Sequence, residues 1–268
     1  MNPTPRSFLF VPGDRPERFP KAQASGAHVL VLDLEDAVGP SQKDPARHQV
    51  SNWLAQGHAT TVRINAMDTP WYEADMAMVS EHANASVLLP KADTYSATHT
   101  AGALPRCRLI ALLETVDAYM NLSGLAHVKG LERIAFGSID FSTETGISDE
   151  GDALTSVRTQ IVLASRHAGL PAPIDGVSVE LHDEDLIRRM ADRSRLLGFG
   201  GKLCIHPRQI GAVNDAWQPN AQEVDWAQRV VQAFRASEGN AIAVDGQMID
   251  KPVFERARRI LDSAGAAC

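Results

Sequence analysis

The sequence predicts a (β/α)8 TIM barrel with a C-terminal helical extension. Short apolar runs recur eight times, stretches of helical length separate them, and charged residues follow most of the runs. Because alternating strands and helices build a parallel sheet, eight such units indicate a closed barrel. The length of 268 residues suits this fold, which typically takes about 250. We assign the barrel catalytic domain to residues 1–218 and the extension to residues 219–268.

The eight predicted strands are short and apolar, as expected for strands buried on both faces. They are Phe8–Val11, Val29–Leu34, Thr61–Ile64, Ser86–Leu89, Leu109–Leu113, Ile134–Phe136, Ile174–Val177 and Leu203–Ile205. Amphipathic stretches between them predict helices at Asp44–Gln56, Trp71–His82, Ala153–Ala168 and Asp183–Leu197.

The extension contains more than a barrel needs. It has an Ala/Gln/Arg-rich helix from Ala221 to about Ser237, a short segment Ile242–Ile249 and a last helix near Pro252–Ala264. Its composition is unlike that of a linker, so we expect it to pack on the barrel or, as a lid, on a neighbouring subunit.

Composition excludes several classes of protein. The formal net charge of −7 and the lack of a Lys/Arg block argue against a nucleic-acid surface, although not against a small anionic substrate. Cys107, Cys204 and Cys268 show neither paired nor metal-ligand spacing, which suggests a reducing compartment. The N-terminus has no basic leader, and no apolar run is long enough for a membrane span. We therefore expect a cytoplasmic protein.

Charged residues collect where six successive predicted strands end. Inward-facing charges at the top of a barrel are costly unless they are paired or functional. Structural salt bridges explain one or two such residues better than six. Barrel enzymes build their active sites at this edge, and we predict one here. In strand order the residues are Arg15, Glu35 with Asp36, Arg63, Lys91, Glu114 and Asp140.

The acids outnumber the bases at this edge, which favours a divalent cation. Glu114 and Asp140 follow two consecutive strands and are the predicted direct ligands of Mg²⁺, a cation that prefers carboxylate oxygens and water. Glu35 and Asp36 would point to opposite faces in a strand, so at least one would hold a metal-bound water. Zinc is disfavoured because no His pair has ligand spacing. Alternatively, Glu114 and Asp140 simply stabilise helix starts.

The basic residues have two interpretations each. Arg63 offers a planar fork that suits a substrate carboxylate, or it forms a salt bridge with Glu35 or Asp36. Arg15 and Lys21 either bind phosphate groups of a substrate or lie in solvent at a helix start.

Several motifs resemble, in the same order, those of the citrate lyase β-subunit-like proteins. This group includes malyl-CoA and citramalyl-CoA lyases and belongs to the HpcH/HpaI aldolase superfamily. The similarity covers essentially the whole chain. The matching segments are Ser7 to Phe19, Asp33 to Val38, Arg63-Ile64-Asn65, Leu89-Pro90-Lys91, Leu113-Glu114-Thr115, Gly137 to Phe141 and Cys204 to Pro207.

The resemblance implies a role for each matching residue. Glu114 and Asp140 match the metal ligands, while Glu35 and Asp36 match the acidic pair that orders the metal's waters. Arg63 matches the arginine that binds the carboxylate of the oxo acid, and the backbone N–H groups around Ile139 and Asp140 match those that bind the same group. Asp250, in the segment Asp245 to Asp250, matches the acid/base residue that family lyases receive from a neighbouring subunit.

The resemblance also implies a function. It implies a Mg²⁺-dependent lyase, with Mn²⁺ as an alternative metal, that breaks or forms a C–C bond next to a CoA thioester of malyl, citramalyl or citryl type. The products would be an acyl-CoA and a 2-oxo acid, and the oligomer a homotrimer or hexamer. Alternatives are a malyl-CoA-type thioesterase and the β subunit of a multiprotein citrate lyase that acts on an acyl-carrier-protein thioester. Ile139 replaces an acidic residue of many relatives, so the substrate can differ.

Overall fold

The computed structural model describes residues 4–237, 240–244 and 246–264. These form two compact units, one of residues 4–214 and one that begins at Asp215. Each unit is described by itself. The predictions that concern Asp245 and Cys268 lie outside the described residues.

The first unit contains a closed barrel of eight parallel strands in sequence order, so the predicted fold class is confirmed. Pairing of Ser7 with Lys202 on the first and last strands closes the barrel. The strands are β1 Ser7–Pro12, β2 Val29–Asp33, β3 Thr60–Arg63, β4 Ala85–Leu89, β5 Arg108–Leu113, β6 Leu131–Phe136, β7 Ile174–Asp175 and β8 Gly201–Cys204.

Strand β7 is shorter than predicted, for a local reason. The sequence predicts a strand over Ile174–Val177, whereas the structure ends it at Asp175. The N–H of Gly176 donates to the Asp175 carboxylate at 2.9 Å. The Asp175 carboxylate thus takes the N–H group that a longer strand would use to pair with its neighbour, and the backbone leaves the sheet after Asp175.

Alternate residues of the strands fill the barrel. Phe8 and Phe10 pack in one cluster with side chains from the other strands, whereas Leu9 and Val11, on the opposite face of β1, are buried outside that cluster. This alternation follows from the two-residue period of a strand. The cluster comprises Phe8, Val31, Leu88, Ile110, Leu112, Ala135, Ile174 and Leu203, with Phe10, Val29 and Val177 against it.

Helices follow the strands. In the first unit they are α1 Phe19–Gln23, α2 Lys43–Ala55, α3 Tyr72–Ser80, α4 Thr94–Ala103, α5 Val116–Met120, α6 Leu122–Ala126, α7 Ser138–Thr145, α8 Thr155–His167 and α9 Glu184–Leu196, with α10 Gln209–Ala216 at the boundary. Single 3₁₀ turns occupy Pro16–Arg18 and Pro40–Gln42. Among the described residues, no helix combines the length and the hydropathy needed to cross a bilayer.

The second unit is a small helical hairpin around its own core. Helix α11 (Ala221–Ala236), a two-stranded antiparallel sheet of β9 (Ile242–Val244) and β10 (Gln247–Ile249), and helix α12 (Lys251–Ala264) follow one another. Phe234 and Phe254 stack with ring centroids 4.6 Å apart. The buried residues of this core are Ala227, Val230, Val231, Phe234, Ile249, Ala257 and Leu261.

Candidate active site

The carboxyl ends of the barrel strands surround a cavity of about 420 Å³. Five of the predicted site residues line it, namely Asp36, Arg63, Glu114, Ile139 and Asp140. Its other lining residues are mostly apolar: Phe10, Pro12, Asp33, Ala37, Leu112, Phe136, Gly137, Ser138, Val177, Leu203 and Ile205. The cavity therefore combines a charged side with an apolar wall.

The remaining predicted residues lie elsewhere. Glu35 is buried beside Arg63 and does not line the cavity wall. Arg15 and Lys21 are exposed after β1, at the same edge of the barrel but outside the cavity lining. Asp250 belongs to the second unit, where its carboxylate accepts a hydrogen bond from the N–H of Val253 at 3.2 Å and caps α12.

Arg63, at the end of β3, is held by Asp33 at the end of the neighbouring strand. Its Nε and Nη2 donate to the two carboxylate oxygens of Asp33 at 2.7 and 2.6 Å. Its Nη1 lies 3.0 Å from Glu35 and 3.7 Å from Asp36. Burial works to lower the pKa of Arg63, but the charge and hydrogen bonds of Asp33, with Glu35 and Asp36, raise it above its usual value. The guanidinium plane is thus fixed, and the remaining N–H groups are available to a ligand.

Asp33 also shapes the turn that carries the acidic pair. Its two oxygens accept the N–H groups of Glu35 at 2.8 Å and Ala37 at 3.2 Å. This arrangement places Glu35 inside, at 5% exposure, while the Asp36 side chain is 62% exposed. The two acids therefore have different environments, although they are adjacent in sequence.

Lys43 holds the same turn in place through its side chain. The ammonium is buried and donates to the carbonyls of Leu34 and Glu35 and to Asn65 Oδ1, at 2.7, 2.8 and 2.7 Å. Asn65 in turn donates to Asp75 through its backbone and side-chain nitrogens. All three protons of the ammonium are thereby used, as burial of a charge requires.

Glu114, directly after β5, is held by two unusual backbone positions. Its Oε1 accepts the N–H of Lys91 at 2.7 Å. Lys91 has φ +46°, the one non-glycine positive φ among the described residues. On the other side, a Cβ at Gly137 would lie 2.5 Å from both Cβ and Oε2 of Glu114, so this close approach requires glycine.

Burial and neighbouring carboxylates raise the pKa of both Glu35 and Glu114. Burial raises the pKa of Glu114 to about 8, with further contributions from the charges of Glu35 and Asp140. Burial likewise raises the pKa of Glu35 to about 7, against the opposing charge of Arg63. Glu35 Oε2 is also buried without a well-directed hydrogen bond among the described residues. These carboxylates lack part of the positive charge that their ionised forms need.

A divalent cation fits this donor set. It would supply the missing charge beside Glu114 and Asp140, and Mg²⁺ needs only one or two carboxylates because water and substrate oxygens complete its shell. In the part of the chain that the structure describes, no group of three or more His, Cys, Asp or Glu that could hold a metal ion occurs, so Glu114 and Asp140 would bind the cation together with water and substrate oxygens.

Helix α7 places its first amide groups at the cavity, and a buried ionic network secures it. Ser138 Oγ, in its first turn, donates to Asp149 at 2.6 Å, and Arg158 donates to the other Asp149 oxygen at 2.6 Å. Arg158 also bonds Asp175 on β7 at 2.9 Å. Because Ser138, Arg158 and Asp175 are buried, this network fixes the loop around Asp149 relative to the start of α7.

Sequence reasoning missed the residues that position the site. Asp33 precedes Glu35 by two positions in the same motif. In a strand this spacing places two side chains on the same face, so the sequence could have indicated that they lie together. Lys43, Asp149 and Arg158 gave no such signal, since their partners lie on other elements. The strained backbone of Lys91 likewise depends on a contact with the next strand.

Comparison with known proteins gives consistent matches. Residues 6–207 match the model of the family described as HpcH/HpaI aldolase/citrate lyase. A citrate lyase subunit beta-like protein of Mycobacterium tuberculosis is 36% identical, covering 97% of this chain and 96% of its own. A (3S)-malyl-CoA thioesterase of Cereibacter sphaeroides is 32% identical, covering 97% and 95%.

A solved structure extends the comparison to the fold. The CitE protein of Mycobacterium tuberculosis, in complex with magnesium, acetoacetate and coenzyme A, superposes with a TM-score of 0.87. It is 33% identical, and the match covers 98% of this chain and 99% of the other.

The Gly137→Ala variant tests the close approach to Glu114. We expect Mg²⁺ affinity to fall by at least about tenfold, because the new methyl group must displace a carboxylate whose position sets the site. Isothermal titration with Mg²⁺ measures this. Gly211→Ala is the matched control, since a Cβ there meets nothing within 4 Å. Equal affinities for the two variants would contradict the role of Gly137.

The raised carboxylate pKa values predict how stability depends on pH. In metal-free protein, Glu114 binds its proton up to a pKa of about 8, whereas an unfolded glutamate releases it near 4.5. Between these values the folded state holds more protons, so stability should fall as pH rises. We expect the Tm of metal-free protein to drop from pH 6 to pH 9, and to drop less in Glu114→Gln. A variant whose slope matches that of the unsubstituted protein would disprove this assignment.

Proposed function

Because the chain belongs to the HpcH/HpaI aldolase/citrate lyase family, we propose that it is a Mg²⁺-dependent lyase acting on a 3-hydroxyacyl-CoA thioester. The thioester is of malyl, citramalyl or citryl type, and cleavage gives an acyl-CoA and a 2-oxo acid. The observation that carries this proposal is the pair Glu114 and Asp140, which line the same cavity as the fixed Arg63 and whose like charges help to raise the pKa of buried Glu114.

Glu114 and Asp140 would hold the cation. Mg²⁺ bound there supplies Lewis-acid polarisation and a template for the carboxylate and the adjacent hydroxyl or keto oxygen of the substrate. Glu35 and Asp36 would order water around that position. The burial of Glu35 and its contact with Arg63 support this role.

Arg63 and the start of α7 would bind the oxo-acid end of the substrate. The guanidinium keeps unused N–H groups after bonding Asp33, and the backbone amides around Ile139 and Asp140 open onto the same cavity. Amides at a helix start attract anions, which suits a carboxylate. Arg15 and Lys21, outside the cavity, would contact the phosphate groups of CoA.

Asp250 would exchange the proton at carbon. In cleavage the hydroxyl gives its proton to solvent water, the electron pair of the breaking C–C bond passes to the thioester enolate, and the enolate takes a proton from Asp250, which solvent then reprotonates. In synthesis the same carboxylate removes that proton. We infer that Asp250 of one copy serves the barrel of another copy in a homo-oligomer, a trimer or hexamer, as the family resemblance implies.

Two alternatives remain within this chemistry. The 32% identity to a (3S)-malyl-CoA thioesterase supports a hydrolytic second candidate, in which a water ordered by Glu35 attacks the acyl carbon. The likeness to citrate lyase β-like proteins supports a subunit that needs an acyl-carrier partner.

Product analysis tests the proposal and separates the alternatives. Malyl-, methylmalyl-, citramalyl- and citryl-CoA are incubated with and without Mg²⁺, and free thiol and 2-oxo acid are followed separately. A lyase releases oxo acid without thiol, and Glu114→Gln abolishes the release. Release of thiol without oxo acid would instead establish a thioesterase. Release of neither product from any CoA ester would contradict the proposal and favour the carrier-dependent subunit.

Complementation tests whether Asp250 acts between copies. Asp250→Asn and Glu114→Gln should each remove turnover, while Asp250→Asn keeps oxo-acid binding. Co-expression of the two variants should restore activity if one copy supplies Asp250 to a neighbour with an intact metal site. Inactive mixed oligomers, shown by mass spectrometry to contain both chains, would mean that each chain serves its own site.

A further inference from the structure

A second concavity of about 930 Å³ lies beside the active-site cavity, and we call it the side groove. Helix α7, the loop after it, the segment after β7 and helix α9 form its walls. Its lining residues are Ile139, Ser142, Thr143, Gly146, Ile147, Ser148, Asp149, Glu150, Gly151, Asp152, Val177, Val179, Glu180, Leu186, Arg189, Met190 and Arg193.

Ile139 and Val177 line both the cavity and the side groove. Both residues are apolar, and Ile139 is 41% exposed. The passage between the two spaces is therefore apolar. Beyond it, Val179 is 70% exposed, and Ile147 is 40% exposed. Apolar surface that continues outward from a reaction cavity is the typical setting for an apolar part of a substrate.

Buried hydrogen bonds hold one wall of the side groove in place. Asp149, in its wall, accepts hydrogen bonds from Ser138 and from buried Arg158. The network that secures the start of α7 thus also secures this wall. A subsite fixed in this way needs little reorganisation when a ligand enters.

The charges of the groove disfavour an anionic occupant. Four carboxylates line it against two guanidinium groups, and pairing of Asp149 with Arg158, which is not in the lining, leaves three carboxylates against the two. Arg193 is already occupied by Asp152, at 3.3 Å, and by Thr155 Oγ1, at 2.8 Å. A second carboxylate or the phosphates of CoA would meet net negative charge here, whereas the exposed Arg15 and Lys21 lie on the β1 side of the barrel.

We propose that the side groove binds an apolar substituent of the 2-oxo acid, so that the enzyme accepts 2-oxo acids with alkyl chains longer than that of pyruvate. This inference rests on the proposed lyase function and specifies its substrate. In the synthetic direction, the α-carbon of acetyl-CoA loses a proton and bonds to C2 of the oxo acid. The C2 oxygen gains a proton and becomes the hydroxyl, while the thioester remains intact.

A chain-length series tests the proposal. Pyruvate, 2-oxobutanoate, 2-oxopentanoate and 2-oxohexanoate are compared as substrates with acetyl-CoA and Mg²⁺, and their binding is measured separately by calorimetry. We expect affinity to rise by about threefold to fourfold per added methylene, the gain that burial of one CH2 group corresponds to. Oxaloacetate and 2-oxoglutarate should bind more weakly than 2-oxobutanoate and 2-oxopentanoate.

The variant Val179→Trp fills the groove from an exposed position, so it should fold. It should abolish the gain with chain length and leave pyruvate unaffected. Leu196→Trp is the matched control, since Leu196 is 78% exposed on α9 and does not line the groove. A wild-type affinity that falls with each methylene, or a preference for the dicarboxylates, would overturn the proposal.

The two readouts separate this inference from the proposed function. Turnover of pyruvate alone, with weaker binding of longer acids, would refute the groove assignment and keep the lyase. Conversely, binding that rises with chain length and is lost in Val179→Trp, without any turnover, would refute the lyase and keep the groove assignment.

Discussion

The bidentate ion pair between Asp33 and Arg63 is the interaction on which the rest of the site depends. It joins two neighbouring barrel strands at their carboxyl ends and fixes the plane of the guanidinium. The same Asp33 accepts two amides of the following turn, so it also sets where Glu35 lies. A charge buried in this way is tolerated because every partner is present, and removal of one partner leaves the other charge uncompensated. Lys43 stabilises the same turn further by donating hydrogen bonds to its carbonyls.

A second constraint is the crowding around Glu114. Its carboxylate fits between the amide of Lys91 and the backbone of Gly137, which requires a positive φ at one position and the absence of a side chain at the other. Such local strain persists only where the surrounding structure enforces it, and it commonly occurs at functional sites. The raised pKa of Glu114 follows from the same geometry, because burial and neighbouring carboxylates disfavour its ionised form. A cation beside Glu114, as proposed, would supply the positive charge that its ionised form lacks.

Two charged networks flank the cavity and leave an apolar path between them. Arg63 and its acids lie on the β2–β3 side, while Arg158 links Asp149 and Asp175 on the β6–β7 side. Arg158 pairs with two carboxylates and fixes backbone, whereas Arg63 keeps N–H groups for a ligand after it bonds Asp33. The side chains that remain free to contact a substrate chain are apolar, with Ile139 and Val177 at the junction with the side groove. Ile139 thus stands at the point where the cavity opens.

The sequence by itself determined the barrel and the edge at which the charged residues of the candidate site collect, and five of the predicted residues line the cavity there. Strand and helix periods are local properties, and charges that follow strands must converge at one edge of a parallel barrel. Tertiary structure alone decided how those charges pair. The hold of Asp33 on Arg63, the contact of Gly137 with Glu114 and the bond from Ser138 to Asp149 each join elements whose distance depends on strand register and loop path. The early end of β7 has the same origin, since a side chain competes there with the ladder for one amide. Sequence patterns specify which face a residue occupies, whereas angstrom-scale distances between faces arise only when the barrel closes.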